Sequence, residues 1–181
     1  MIILKICSFI PDSYYDNVYK INYLKLYESG IRFIIFDLDG TLLPFDDMFI
    51  PDSLFDLFFD LKSMGFDIGI CSNNSKKRVE TVGNLLKVNY LSNAGKPLCD
   101  FKDVSSLFET FDFNNTVFIG DSFYLDMFFA SRFNLYKIMV NSLKNDNFKF
   151  LVSDFLQNSI WHKVYKLGLR KGRYYKGVKE W

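Results

Sequence analysis

Asp37 and Asp39 stand two residues apart in the run Asp37-Leu38-Asp39-Gly40-Thr41, directly after the apolar residues 31–36. Residues at i and i+2 of a strand point the same way, so both carboxylates can face one pocket at the strand's carboxyl end. Two like charges held close and poorly solvated are costly unless a cation or a reaction requires them. The competing reading is a helix cap or an Asx turn, because Asp-Gly is a common turn dipeptide.

Three further polar clusters follow apolar runs. Ser72, with Asn73 and Asn74 behind it, ends the run 66–71 and precedes a helical pattern. A hydroxyl among backbone N–H groups at a helix N-terminus is a natural phosphate cradle, although plain N-capping explains it equally simply. Lys96-Pro97 follows Gly95, and a lysine fixed beside a proline turn can neutralise phosphate oxygens and separate carboxylates. Read alone, it is a solvated surface lysine. Gly120-Asp121 closes the run 116–119, with Asp126 in the helix beyond. Asp121 can complete an oxygen site for a hard cation, Mg2+ where a phosphate supplies another ligand. Asp126 can orient a metal-bound water or the lysine, or simply face solvent.

The elements that must position these groups alternate between strand and helix. The spacing predicts a helix through Val18, Ile21, Leu24 and Leu26 stopped by Gly30, then a strand at 31–37 buried on both faces. A helix opens at Pro51 and places Leu54, Leu57, Phe58 and Leu61 at helical spacing before Gly65. Strand 66–71, helix 75–87, a short extended piece at Tyr90-Leu91, helix 100–111, strand 116–119, helix 122–132 and strand 135–140 follow. This alternation predicts an α/β fold, an open and mostly parallel sheet with helices on both faces. Ligands of such sheets bind beyond the carboxyl ends of the strands, which is where all four clusters fall.

In the order DxDGT, S, K, GDxxxxD, the clusters resemble the four motifs of the haloacid dehalogenase (HAD) superfamily, over residues 31–140. The resemblance implies a Rossmann-like HAD-type core and a role for each residue. Asp37 is then the nucleophile and Asp39 the acid and base. Ser72, Asn73 and Lys96 bind the phosphoryl group, and Asp37, Asp39 (through its backbone carbonyl) and Asp121 hold Mg2+. Gly40, Thr41 and Asp126 support them. The chemistry is coherent on its own terms. An aspartyl-phosphate on Asp37 splits one difficult displacement into two, and Asp39 protonates the leaving alcohol, then deprotonates the attacking water. A cation offsets repulsion between the anionic nucleophile and its anionic substrate.

Asp39 and Ser72 are separated by one loop and one helix, and Ser72 and Lys96 by about one helix, which leaves no room for a cap domain. Such an open site admits large substrates. Ile10-Pro11-Asp12, Val18, Ile21, Gly30-Ile31, Ser72-Asn73-Asn74, Arg78-Val79 and Ala94-Gly95-Lys96-Pro97-Leu98 are similar to YqeG-type (subclass IIIA) phosphatases of that superfamily. Gly40, commonly Asn there, and residues 122–125 depart from the pattern. Relatives in this group dephosphorylate phosphatidylglycerophosphate, so the resemblance implies a lipid phosphate as substrate.

Across 181 residues, 49% hydrophobic with a net charge of +1, the composition suits one globular domain and argues against a general nucleic-acid binder. The division expected is 1–150 for the phosphatase domain and 151–181 for a basic, aromatic tail. The 21 Phe and 11 Tyr read as coding bias. Three widely spaced cysteines fit reduced, buried thiols of a cytosolic protein. The run 1–10 is too short for a signal-peptide core with its cleavage site, so a cytoplasmic location is expected, with peripheral contact at the inner membrane face. Residues 162–181 hold Lys163, Lys166, Arg170, Lys171, Arg173, Lys176 and Lys179 among Tyr165, Tyr174, Tyr175 and Trp181. Such a segment suits an anionic membrane surface, RNA or the ribosome, or solvent alone. The alternatives for the whole chain are a phosphatase of soluble or nucleic-acid phosphomonoesters, or a HAD-fold binding protein in ribosome assembly.

Overall fold

The computed structural model describes residues 6–45 and 47–143. Six strands form one sheet, all parallel: β1 (Ser13–Tyr15), β2 (Phe33–Phe36), β3 (Asp67–Cys71), β4 (Asn89–Leu91), β5 (Thr116–Gly120) and β6 (Tyr136–Val140). Their spatial order is β1-β6-β5-β2-β3-β4. From β2 the chain builds outward through β3 and β4, then crosses back to place β5 on the other side of β2. The order of strand addition therefore reverses between β2 and β5, which stay parallel, and the crevice beyond their carboxyl ends is the natural ligand site.

Side chains alternate across the sheet, and both faces are covered. Ile34, Phe36, Ile68, Ile70, Val117, Ile119, Ile138 and Val140 share one core. That core is closed by α1 (Tyr23–Glu28), α2 (Asp52–Ser63) and α3 (Lys76–Leu86), through residues such as Leu26, Leu54, Phe58, Val79 and Val82. Ile35, Cys71 and Phe118 point the other way, onto Val104 of α4 (Phe101–Ser105) and Phe129 and Ala130 of α5 (Phe128–Arg132). Because β2 has partners on both edges and helices on both faces, Ile34, Ile35 and Phe36 are wholly buried. That rigidity holds the carboxylates that follow.

Four expectations are corrected. Residues 13–15, a polar, tyrosine-rich stretch after Pro11 for which the sequence predicts no strand, pair with β6 and add an edge strand, with Tyr14 Oη donating to Asn141 Oδ1 at 2.6 Å. The helix expected through 18–26 is a 3-10 turn at Val18–Lys20 and then α1, leaving Leu24 exposed. The helix expected over 100–111 stops at Ser105. Beyond it Phe108 and Phe111 turn back to meet Phe33 at ring-centroid distances of 5.1 and 5.8 Å, so ring packing overrides further helical hydrogen bonding. The helix expected over 122–132 opens as a π-helical turn, Phe123–Met127, and only then becomes α5. Cys71 and Cys99 are buried free thiols, as the sequence suggests. One helix lies between β2 and β3, and one between β3 and β4, with no inserted domain among the described residues. The tail at 162–181 lies outside the described residues. Among them, no helix is long and apolar enough to cross a membrane.

Candidate active site

The strand order carries the four clusters to one place. Asp37 follows β2 and keeps the sheet going for one more bond, its N–H donating to the Ile119 carbonyl of β5 at 2.8 Å. The carboxylate is thereby held at the switch point. Lys96 reaches the same spot from the loop after β4. Its Nζ donates to Asp37 Oδ1 and to Asp126 Oδ1, each at 2.6 Å, with its side chain only 1% exposed. The ammonium also lies 5.1 Å from the centroid of the Phe118 ring. Thr41 Oγ1 donates to the second oxygen, Asp37 Oδ2, at 3.3 Å.

Asp126 is fully engaged as well. Its Oδ2 accepts the N–H groups of Asp121 and Ser122 at 3.1 and 2.9 Å while Oδ1 faces the lysine. The π-helical turn explains how it gets there. The N–H of Met127 reaches back five residues to the Ser122 carbonyl, and the wider turn carries Asp126 in over β5. Gly120 makes room, because a Cβ at that position would sit 2.4 Å from Asp126 Cγ. Of the two uses expected for Asp126, water or lysine, its contacts are with the lysine.

Asp37, Asp121 and Asp126 each offer an oxygen, and the three lie within 4.8 Å of one another. Hard oxygen donors converging on one buried point suit a hard divalent cation. Burial, reinforced by Asp126, raises the Asp121 carboxyl to about 7, against an opposing hydrogen bond from Ser142. Burial likewise pushes Asp37 well above the usual carboxylate range, Lys96 opposing and Asp126 and Asp121 adding to it. Burial alone would lower the Lys96 ammonium, but Asp126 and Asp37 outweigh it, and the ammonium is held more tightly protonated than a free lysine. Of the expected ligands, Asp37 and Asp121 converge through their carboxylates, and Asp126 joins them as the third; Asp39, expected to contribute its backbone carbonyl, turns its side chain elsewhere.

Asp39 faces α3. Its Oδ1 accepts Arg78 Nε at 2.7 Å and pairs with Arg78 Nη2 at 2.6 Å, and its Oδ2 accepts Asn74 Nδ2 at 2.9 Å. Arg78 and Asn74 enter the sequence reading only as part of the YqeG-type pattern, with no role assigned to either. The available signal is helical spacing: Arg78 lies one turn before Val82, on the stripe that buries Val79, Val82 and Leu86. Ser142 is the other residue missed; nothing in the local sequence marks it.

Ser72 and Asn73 also depart from simple capping. Ser72 is buried, and its Oγ accepts the N–H of Asn74 at 3.1 Å, whereas the residue that caps α3 is Ser75. Its hydroxyl proton remains available to an incoming oxyanion. Asn73 brackets the backbone of Lys96, accepting its N–H at 2.7 Å and donating to its carbonyl at 2.9 Å. It therefore positions the lysine loop. Gly40 adopts φ +88°, and a Cβ there would lie 2.4 Å from Asp121 Oδ2, so this turn requires glycine in both conformation and space.

No protein-family model matches the chain. Over 132 residues, 73% of this chain and 77% of the other, it is 29% identical to the Bacillus subtilis (strain 168) protein named probable phosphatase YqeG. That name agrees with the YqeG-type pattern that the motifs of this sequence resemble. Solved structures similar to this chain include a magnesium-bound form of YfnB, a Bacillus subtilis protein described as a HAD-hydrolase. That similarity covers 60% of this chain and 86% of YfnB, with a TM-score of 0.48 and 15% identity. An uncharacterized protein from Listeria monocytogenes serotype 4b is similar over 77% of this chain and 100% of its own, with a TM-score of 0.48 and 17% identity.

Proposed function

We propose that this HAD-type protein is a Mg2+-dependent phosphomonoester hydrolase that works through an aspartyl-phosphate on Asp37. The observation that supports it best is the convergence of Asp37, Lys96, Asp121 and Asp126 at the switch point of the sheet. Asp37, Asp121 and Asp126 are the groups placed to hold the cation, with the Asp39 carbonyl the expected backbone ligand. Bound there, the cation neutralises charge on the phosphoryl oxygens.

The protein's own groups then divide the work. Lys96 and the Ser72 hydroxyl draw the phosphate in, and Lys96 also screens Asp126 from Asp37. A carboxylate oxygen of Asp37 attacks phosphorus as the bond to the leaving oxygen breaks, and Asp39 gives that oxygen a proton. Asp39 then takes a proton from water as the water oxygen attacks phosphorus, and Asp37 leaves as a free carboxylate. The balance is ester plus water to alcohol plus phosphate. To serve as the acid, Asp39 must loosen its grip on Arg78 and Asn74, which occupy both of its oxygens.

The substrate proposed is phosphatidylglycerophosphate at the cytoplasmic membrane face. The YqeG-type pattern, the absence of an inserted domain over the described site and the basic, aromatic sequence of 162–181 support this reading. The test is phosphate release from vesicles containing that lipid, with and without Mg2+, for the natural chain and Asp37→Asn. Good turnover of soluble phosphomonoesters with none of the lipid sinks the lipid assignment. Full activity in Asp37→Asn sinks the mechanism.

A further inference from the structure

The residues that leave the sheet after β6 form a short strap over the acidic cluster. The first, Asn141, is held by the edge strand and the residue after it. Its N–H donates to the Tyr15 carbonyl at 3.3 Å, Tyr14 Oη donates to its Oδ1 at 2.6 Å, and its Nδ2 donates to Asp16 Oδ1 at 3.2 Å. The last, Leu143, is held by the turn after Asp39, its N–H donating to the Gly40 carbonyl at 2.8 Å. In the sheet, β5 lies between β6 and β2, so a strap from the end of β6 to the turn after β2 must cross the end of β5. Asp121 stands at that end. Ser142, fixed between the two anchors, donates its hydroxyl to the Asp121 carboxylate.

Gly40 completes the arrangement. Around the point where its Cβ would stand, Asp121 Oδ2 lies at 2.4 Å and Ser142 Oγ at 2.9 Å. Three segments far apart in the chain thus meet on one side of one carboxylate. Serine suits the position, because its hydroxyl donates to an ionised carboxylate without bringing a charge that would compete with a cation. Asp121 also supplies one oxygen to the cluster with Asp37 and Asp126, the three lying within 4.8 Å of one another. A carboxylate held on one side by Ser142 and Gly40 can give a cation one oxygen but cannot turn to give two. Mg2+ takes single oxygens at short distances in near-ideal octahedral geometry, whereas Ca2+ takes more ligands, looser geometry and carboxylates through both oxygens.

We propose that Ser142 is a positioning residue of the cation site: it holds Asp121 to a one-oxygen contact and so sets a preference for Mg2+ over Ca2+. The inference rests on the reading of Asp37, Asp121 and Asp126 as the cation's carboxylates. It adds to them a residue from beyond β6, outside all four sequence clusters.

The test is calorimetric titration of the full chain, stripped with chelator, with MgCl2 and separately with CaCl2. Losing a group that orients a metal ligand costs roughly 10–100-fold in affinity, so Ser142→Ala should weaken Mg2+ binding by at least about tenfold. Ca2+ binding should weaken by no more than about twofold, because the freed carboxylate can turn both oxygens to the larger ion. Ser142→Thr and Ser142→Val share one shape and differ by the hydroxyl. The threonine variant should stay within about threefold of the natural Mg2+ affinity, and the valine variant should match Ser142→Ala. That pair carries the test even where the alanine variant fails to fold. Equal Mg2+ affinity in the threonine and valine variants, or equal losses for Mg2+ and Ca2+, overturns the inference. So does a lower Tm in chelator with Mg2+ affinity unchanged, which would make Ser142 a purely structural residue. Each of these results, obtained with a natural chain that binds Mg2+, leaves the cation reading standing. A natural chain that takes up neither ion removes both.

Discussion

Replacing Lys96 with methionine should destabilise the protein in a way that depends on pH. The side chain is 1% exposed and ends in ion pairs of 2.6 Å to Asp37 and Asp126, whose side chains are 9% and 2% exposed. Methionine keeps the shape and removes the charge, leaving two buried carboxylates without their shared cation. Breaking a buried ion pair by removing one partner costs roughly 3–5 kcal/mol. Set against a total stability of about 5–15 kcal/mol, a loss of about 4 kcal/mol lowers Tm by roughly 10 °C in a chain of this size. Without the lysine, both carboxylates are more easily protonated in the folded state than in the unfolded chain. The folded variant then holds protons that the unfolded chain has already lost, so its stability falls as pH rises. Urea unfolding of natural and variant chains in chelator, at pH 5 and pH 8, measures this directly. The expected difference is small at pH 5 and near its full value at pH 8. A difference below about 1 kcal/mol at both pH values would mean that Lys96 is not buried between the two aspartates, and the site geometry would be wrong.

Other consequences follow from the same contacts. Gly40→Ala should cost about 1–2 kcal/mol and weaken Mg2+ binding by calorimetry, because residue 40 has φ +88° and its Cβ would meet Asp121 Oδ2 at 2.4 Å; unchanged Mg2+ affinity would contradict the close approach. Arg78→Ala should lower kcat much more than it changes KM, and Arg78→Lys should not restore it, since one ammonium cannot serve Asp39 and the Pro44, Asp47 and Met48 atoms together. Asp121 titrates near 7, so Mg2+ must displace a proton below that pH, and affinity measured by calorimetry should fall steadily from pH 8 to pH 6. The same shift acts oppositely on the metal-free protein. A carboxyl raised from the ordinary 3.8 to about 7 contributes stability below pH 4 that is lost as pH rises towards 7, and added Mg2+ should restore it above pH 7. Thermal melts with and without chelator report both effects.

The order of strands and helices was legible because each core strand is buried on both faces and so reads as an unbroken apolar run. Ile34, Ile35 and Phe36 are the clearest case. Where an element depends on distant partners, the local pattern misleads. Ser13–Tyr15 is a strand only because β6 is there to pair with it, and the helix beginning at Phe101 ends early because Phe108 and Phe111 find Phe33. The site divides the same way. Asp37, Ser72, Lys96 and Asp121 stand at strand ends, a position that sequence reveals. Arg78 follows two lysines on a helix, and its spacing one turn before Val82 marks it as inward-facing without saying which group it holds.

Sequence by itself determined the parallel α/β architecture and which carboxylates and cations stand at the strand ends, since apolar runs and the turns that stop them are local properties. Tertiary structure alone decided the partnerships. Asp126 joins Asp37 and Asp121 because a π-helical turn swings it over Gly120, and Asp39 faces Arg78 and Asn74 because α3 packs beside the end of β2. Contacts between residues far apart in the chain depend on how helices lie against the sheet, and that is set by packing rather than by neighbouring residues.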